Sequence, residues 1–224
     1  MEPILITEEF VSRLAELDKI CDQFHLSLQS ACNDTLKRMN RRYTIEEFKE
    51  RVKLLRKAYP RVSLTTDVIV GFPGETDEEF NITYENLEEI KFYKMHIFKY
   101  SPRKGTRAAV MPNQIDGNVK EERSRKLIEL SDKNEKEYNK QYIGKEVEVL
   151  FEEDNEVEKY KLVTSIRGNS MENRVSIESP IGKALRGHRV GDRVEVKVND
   201  DYSYYLVIKS IDKTGSEDEE IRGF

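Results

Sequence analysis

Cysteine is scarce: the 224 residues include two, Cys21 and Cys32, with no paired spacing. That excludes a disulfide framework and fits a reduced, cytoplasmic protein. Long apolar runs are missing as well. Charged residues make up 36% of the chain, and no stretch approaches the roughly 20 apolar residues that a membrane helix needs. The N-terminus, MEPILITEEF, is acidic and lacks the basic leader and apolar block of a signal peptide. Histidine occurs three times, at His25, His96 and His188. These isolated histidines read as structural side chains, not metal ligands, and the two cysteines as small packing residues.

What is present is charge, unevenly placed. The formal net charge is −5, and the first 142 residues are balanced, so the deficit falls on the remainder. Within the balanced part, KRMNRR at Lys37 to Arg42 and RKGTR at Arg103 to Arg107 are basic clusters that can meet phosphate or stand as solvated turns.

The stretch Asp67 to Glu75, DVIVGFPGE, organises the first two thirds of the chain. Asp67 to Val70 end a buried strand, Gly71, Pro73 and Gly74 break it, and Thr76 to Glu79 form a capping box that opens a helix. A strand, glycine turn and helix N-terminus in this order mark the ligand edge of an α/β sheet, or a tight connection whose glycines serve only the turn. Around it the spacing predicts a helix after Thr7, a strand at Phe24 to Leu28, a helix capped by Thr44 and Glu47, a strand from Val62, a helix through Ile90 and a strand near Lys94 to Tyr100. Three parallel strands are few for a sheet normally covered and edge-protected, so residues 1–118 are expected to be the later part of a larger α/β domain, with an exposed edge that favours self-association.

Residues 119–142 predict a charged linking helix with a weak apolar stripe. From Ile143 the pattern turns to alternation at Val147, Val149 and Phe151, at Val194, Val196 and Val198, and at Tyr204, Leu206 and Ile208, giving a small, mostly antiparallel β domain over 143–213. The acidic tail, 214–224, is expected to be disordered.

FHLSLQSACNDTLKRMNRRYT, TTDVIVGFPGETDEEF and FKYSPRKGTRAA resemble the radical S-adenosylmethionine tRNA methylthiotransferases, within them the branch that modifies N6-threonylcarbamoyladenosine next to the anticodon. The resemblance implies the second half of a partial β/α barrel, S-adenosylmethionine and a 4Fe-4S cluster as family cofactors, and tRNA as partner. It implies cofactor contacts at Gln29 and Ser30, at Asp67, Gly71, Phe72, Gly74 and Glu75, and at Tyr100 and Ser101. It places RNA contacts at Arg41, Arg42, Arg103, Lys104 and Thr106. Ala31 stands where the family has glycine. The family's cluster needs a C-x-x-x-C-x-x-C run, and two cysteines with ten residues between them do not supply one, so the chain by itself is expected to be inactive and no residue is assigned a catalytic role.

VSIESPIGKALRGHRVGDRVEVKV and YYLVIKSI are similar to the C-terminal, FKBP-like domain of the Gre transcript-cleavage factors. That resemblance implies docking on RNA polymerase, with Ile181, Lys183, Leu185 and Arg186 as candidate contacts. A methylthiotransferase relationship, a polymerase-binding module, and a fusion or truncation product with neither activity are the three readings.

Overall fold

Capping chemistry sets the helix starts. Thr7, Thr44 and Thr76 each accept a backbone N–H three residues on, and the last two form complete capping boxes with Glu47 and Glu79. The computed structural model describes residues 1–17, 20–163, 173–199 and 202–213; the expected tail at 214–224 lies outside them. The chain divides into two compact units, Met1–Tyr138 and Asn139–Phe224.

In the first unit α1 (Glu8–Ala15) precedes β1 (Gln23–Gln29), then α2 (Asn33–Arg38), α3 (Ile45–Ala58), β2 (Ser63–Val70), α4 (Asp77–Ile90), β3 (Lys94–Lys99) and α5 (Gly117–Asn139). The strands form a parallel sheet in the order β1-β2-β3. Alternation sorts their side chains. Phe24, Leu26, Leu28, Leu64, Val68, Val70 and Met95 are buried in one cluster with Val11, Phe48, Leu55, Leu87 and Leu127 from the helices, whereas His25, Asp67, Ile69, His96 and Phe98 are half-buried or exposed. The helices thus cover one face and leave the other open.

Expected as a linker, α5 is for most of its length the last layer of the first unit. Leu127 and Leu130 join its core, and Ser131 Oγ accepts the Met95 N–H at 3.0 Å. Lys94 Nζ reaches Asp132 at 3.0 Å and Glu135 at 2.7 Å. The apolar stripe is weak because these polar contacts share the docking. At the other edge, the Met1 amino group donates to His25 O at 2.7 Å and Ser27 N–H donates to Met1 O at 3.0 Å, so the centre of the β1 edge is partly paired.

The second unit contains β4 (Lys145–Phe151), β5 (Glu156–Val163), β6 (Arg174–Ser176), α6 (Pro180–Leu185), β7 (Arg193–Lys197) and β8 (Ser203–Lys213). Its sheet runs β6-β5-β4-β8-β7, antiparallel except for the β5–β6 pair. The three alternating runs fall on strands, with Val147, Val149, Val194, Val196, Leu206 and Ile208 buried, except at Val198, which lies past the end of β7 and is exposed. Gly182 is dictated by close approach: a Cβ there would sit 2.0 Å from the Ser176 carbonyl oxygen. No helix among the described residues is long and apolar enough to cross a membrane.

Candidate functional site

The open face of the first sheet is shaped by an irregularity at the end of β1. Its pairing with β2 shifts register between Leu26 and Gln29, and Gln29 is left-handed at φ 71°, a conformation costing a non-glycine residue about 1–2 kcal/mol. Two side chains hold the bulge. Thr66 Oγ1 donates to Leu26 O at 2.6 Å and accepts Leu28 N–H at 3.3 Å. The Tyr43 hydroxyl shares its proton between Ser27 O and Leu28 O, both at 2.8 Å, and burial pushes its pKa up to about 12.

A cleft of about 640 Å³ opens beside this bulge. Gln29, Asp67, Tyr100, Ser101, Arg103 and Thr106, drawn from three separated motifs, line it together with Ile69, Phe98, Lys99 and Ala108. Charged, polar and apolar side chains therefore share its lining, as in small-molecule sites. The Tyr100 hydroxyl is buried and has no hydrogen-bond partner among the described residues.

The glycine turn stands beside the cleft, one aromatic layer away. Phe72 meets Tyr100 edge-on with centroids 5.2 Å apart, and Lys120 Nζ lies 5.5 Å over the Tyr100 ring. Gly71, at φ 70°, lies under the aliphatic stem of Lys120, whose Cγ is 2.3 Å from where a Cβ would sit. Its N–H donates to Glu75 Oε2 at 2.7 Å. Arg123 Nη1 donates to the same oxygen at 2.7 Å and to Glu75 O at 3.1 Å, while Nη2 reaches Asp77 at 2.7 Å. Burial pushes the Glu75 carboxyl above its ordinary range, against the pull of Gly71 and Arg123. This carboxylate braces the turn and faces inward. Gly74 lies beside the Arg38 guanidinium, which binds both oxygens of Glu79 and holds that carboxyl below its ordinary value.

The remaining candidates of the first unit do not line the cleft. Ser30 is fully buried, 3.3 Å from Thr83 Oγ1, and accepts Cys32 N–H. Arg41 donates to Glu2 at 3.3 Å, and Arg42 and Lys104 are exposed. In the second unit Ser179 caps α6 by accepting Gly182 N–H at 3.1 Å. Lys183 is exposed, Ile181 and Arg186 are half-buried, and Leu185 is buried, which makes it a core residue of that unit. Sequence reasoning read His25 and His96 as structural side chains; they stand with Asp67 on the open face. The signal available was strand alternation, since His25 and Gln29 lie four apart on β1 as Asp67 and Ile69 lie two apart on β2.

Comparison with known proteins follows the two units. Residues 2–87 match the family model described as Radical SAM superfamily, and residues 135–213 match Transcription elongation factor, GreA/GreB, C-term. The coproporphyrinogen III oxidase of Escherichia coli, described as a radical SAM enzyme, aligns with TM-score 0.51 at 16% identity over 60% of this chain and 31% of its own. The chain therefore carries a radical S-adenosylmethionine-type α/β fold followed by a Gre-factor C-terminal-like β domain.

Two curated relatives are similar to the chain. The chain is 49% identical over 153 residues to the threonylcarbamoyladenosine tRNA methylthiotransferase MtaB of Bacillus subtilis, covering 68% of this chain and 34% of that protein. It is 43% identical over 180 residues to the tRNA-2-methylthio-N(6)-dimethylallyladenosine synthase of Alkaliphilus oremlandii, covering 80% of this chain and 38% of that protein. It spans little more than a third of the length of either relative.

Proposed function

We propose that the cleft of the first unit binds S-adenosylmethionine and that this unit serves methylthiolation of N6-threonylcarbamoyladenosine next to the anticodon in tRNA. The observation that carries the reading is the assembly of Gln29, Asp67, Tyr100 and Ser101 around one cleft from three distant motifs. When bound, the cofactor supplies carbon activated by a sulfonium. This chain's residues would bind and orient it: the Gln29 amide and Ser101 hydroxyl can donate or accept hydrogen bonds, the Asp67 carboxylate can take hydroxyl or ammonium protons, and Ile69 and Phe98 offer apolar surface. Arg103, Arg41, Arg42 and Lys104 would meet RNA phosphate.

The cluster is a different matter. Cys21 is exposed and Cys32 buried, and two thiols with ten residues between them do not fit a three-cysteine cluster site. No radical step is derived for these residues, and the chain alone is expected to show neither cluster absorbance nor 5′-deoxyadenosine production after reconstitution with iron and sulfide.

Calorimetry on the full chain tests the reading. Saturable S-adenosylmethionine binding, weakened about tenfold by Gln29→Ala, is expected from the loss of one well-placed hydrogen-bonding group; no saturable binding would remove it. Binding of tRNA should fall steeply with salt as phosphate contacts release counterions. Self-association through the β1 edge belongs to the same proposal, and a strictly monomeric sample in sedimentation velocity would count against it.

A second reading rests on the match at residues 135–213 and on α6: the second unit docks on RNA polymerase, with Ile181, Lys183 and Arg186 as accessible contacts. Copurification of core polymerase, lost on deleting residues 143–224, would favour it.

A further inference from the structure

Three side chains converge on the open face from three neighbouring strands: His25 of β1, Asp67 of β2 and His96 of β3. Asp67 and His96 are direct register partners, and His25 lies opposite Thr65, on the same face as Asp67. His25 Nε2 stands 3.3 Å from Asp67 Oδ2, and the two imidazole rings are 5.9 Å apart. One ligand atom from each of the three residues lies within 4.8 Å of the others. The second nitrogen of His25, Nδ1, is 3.0 Å from Thr65 Oγ1.

We propose that His25, Asp67 and His96 bind one borderline divalent metal ion of the Zn²⁺ class, with one coordination position left open. Two imidazoles and one carboxylate suit Zn²⁺, Co²⁺, Ni²⁺ or Fe²⁺, whereas Mg²⁺ and Ca²⁺ favour oxygen ligands throughout. Three protein ligands leave a position for an exchangeable donor, unlike a closed structural site. Tetrahedral bonds of about 2.0–2.1 Å place ligand atoms roughly 3.3 Å apart. The His25–Asp67 pair already has that spacing, and His96, exposed on β3, can close the rest by a side-chain rotation. The Thr65 hydroxyl fixes the His25 ring with Nε2 toward Asp67, as an outer partner of a metal ligand does. A simple half-exposed ion pair between His25 and Asp67 would contribute little and would give His96 no part.

The site shares Asp67 with the proposed cofactor cleft but does not depend on what that cleft binds, and its test uses the metal alone. The full chain, freed of metal by a chelator, is titrated with Co²⁺ by visible absorption and with Zn²⁺ by calorimetry. One equivalent should bind. Affinity should fall at least about tenfold in His96→Ala and in Asp67→Asn, and about tenfold or more in Thr65→Val, whose effect would come through orientation of the His25 ring. His188→Ala, at the separate His188–Asp192 pair of the second unit, should leave the titration unchanged. Because His96 is exposed, far-ultraviolet circular dichroism should show His96→Ala folded. Binding that persists in both His96→Ala and Asp67→Asn, or no binding up to about 1 mM metal, which is only some 4 kcal/mol of affinity, would overturn the proposal.

Discussion

The two faces of the β1-β2-β3 sheet are made by alternate residues of the same three strands, yet one is sealed by helices and the other is open. On the sealed side apolar side chains pack to near-zero exposure, and the charges beside it are paired and buried, with the Glu75 side chain 1% and Arg123 6% exposed. On the open side Asp67 and His25 keep 32% and 40% of their side-chain exposure. Two carboxylates eight residues apart in one motif thus do different work: Glu75 ties the turn to α5, while Asp67 faces the cleft. Position on a strand or in a turn, more than residue type, decides which carboxylate can meet a ligand.

That comparison breaks most sharply at Arg123. Arg123→Ala would strand a buried carboxylate and should cost about 3–5 kcal/mol; a loss in urea unfolding below about 1 kcal/mol would mean that the brace is dispensable. Leu26→Ala, on the sealed face of β1, should cost about 2–5 kcal/mol through lost burial and a cavity, read by the same unfolding curves.

Acid should act on the sealed side through Glu79, whose folded pKa lies below its ordinary 4.5 because Arg38 bonds it. Its contribution is complete above that ordinary value and is lost as pH falls through the lowered folded one. The stability advantage of the wild-type chain over Glu79→Gln should therefore shrink on acidification, and an advantage that grows instead would reverse the assignment. The smallest effect is expected on the open face, where Asp67→Asn should change stability by less than about 1 kcal/mol, as for a partly exposed ion pair. A larger loss in thermal or urea unfolding would give Asp67 a structural role like that of Glu75.

Much of the fold was legible because local signals are strong where they occur. Thr44 with Glu47 and Thr76 with Glu79 fixed helix starts, and alternation marked the strands that carry Val147, Val194 and Leu206. The docking of α5 was not legible, because part of its contacts run through Ser131, Asp132 and Glu135, polar residues that leave only a weak apolar stripe to read. The site divided in the same way. The family resemblance gave Gln29, Asp67, Tyr100 and Ser101 as cofactor contacts and Arg103 and Thr106 as RNA contacts, and all six line one cleft, while the turning of Glu75 and Ser30 away from it could not be read.

The sequence by itself determined the strand–turn–helix order, the change to a β domain near Ile143 and the shortage of thiols, since each is written in spacing or composition along the chain. Only the tertiary structure decided that His25, Asp67 and His96 share one corner, that Gln29 sits left-handed at a bulge and that Glu75 is sealed under Arg123. Those facts depend on strand register and on helix packing between residues tens of positions apart, and a local pattern does not encode such distances.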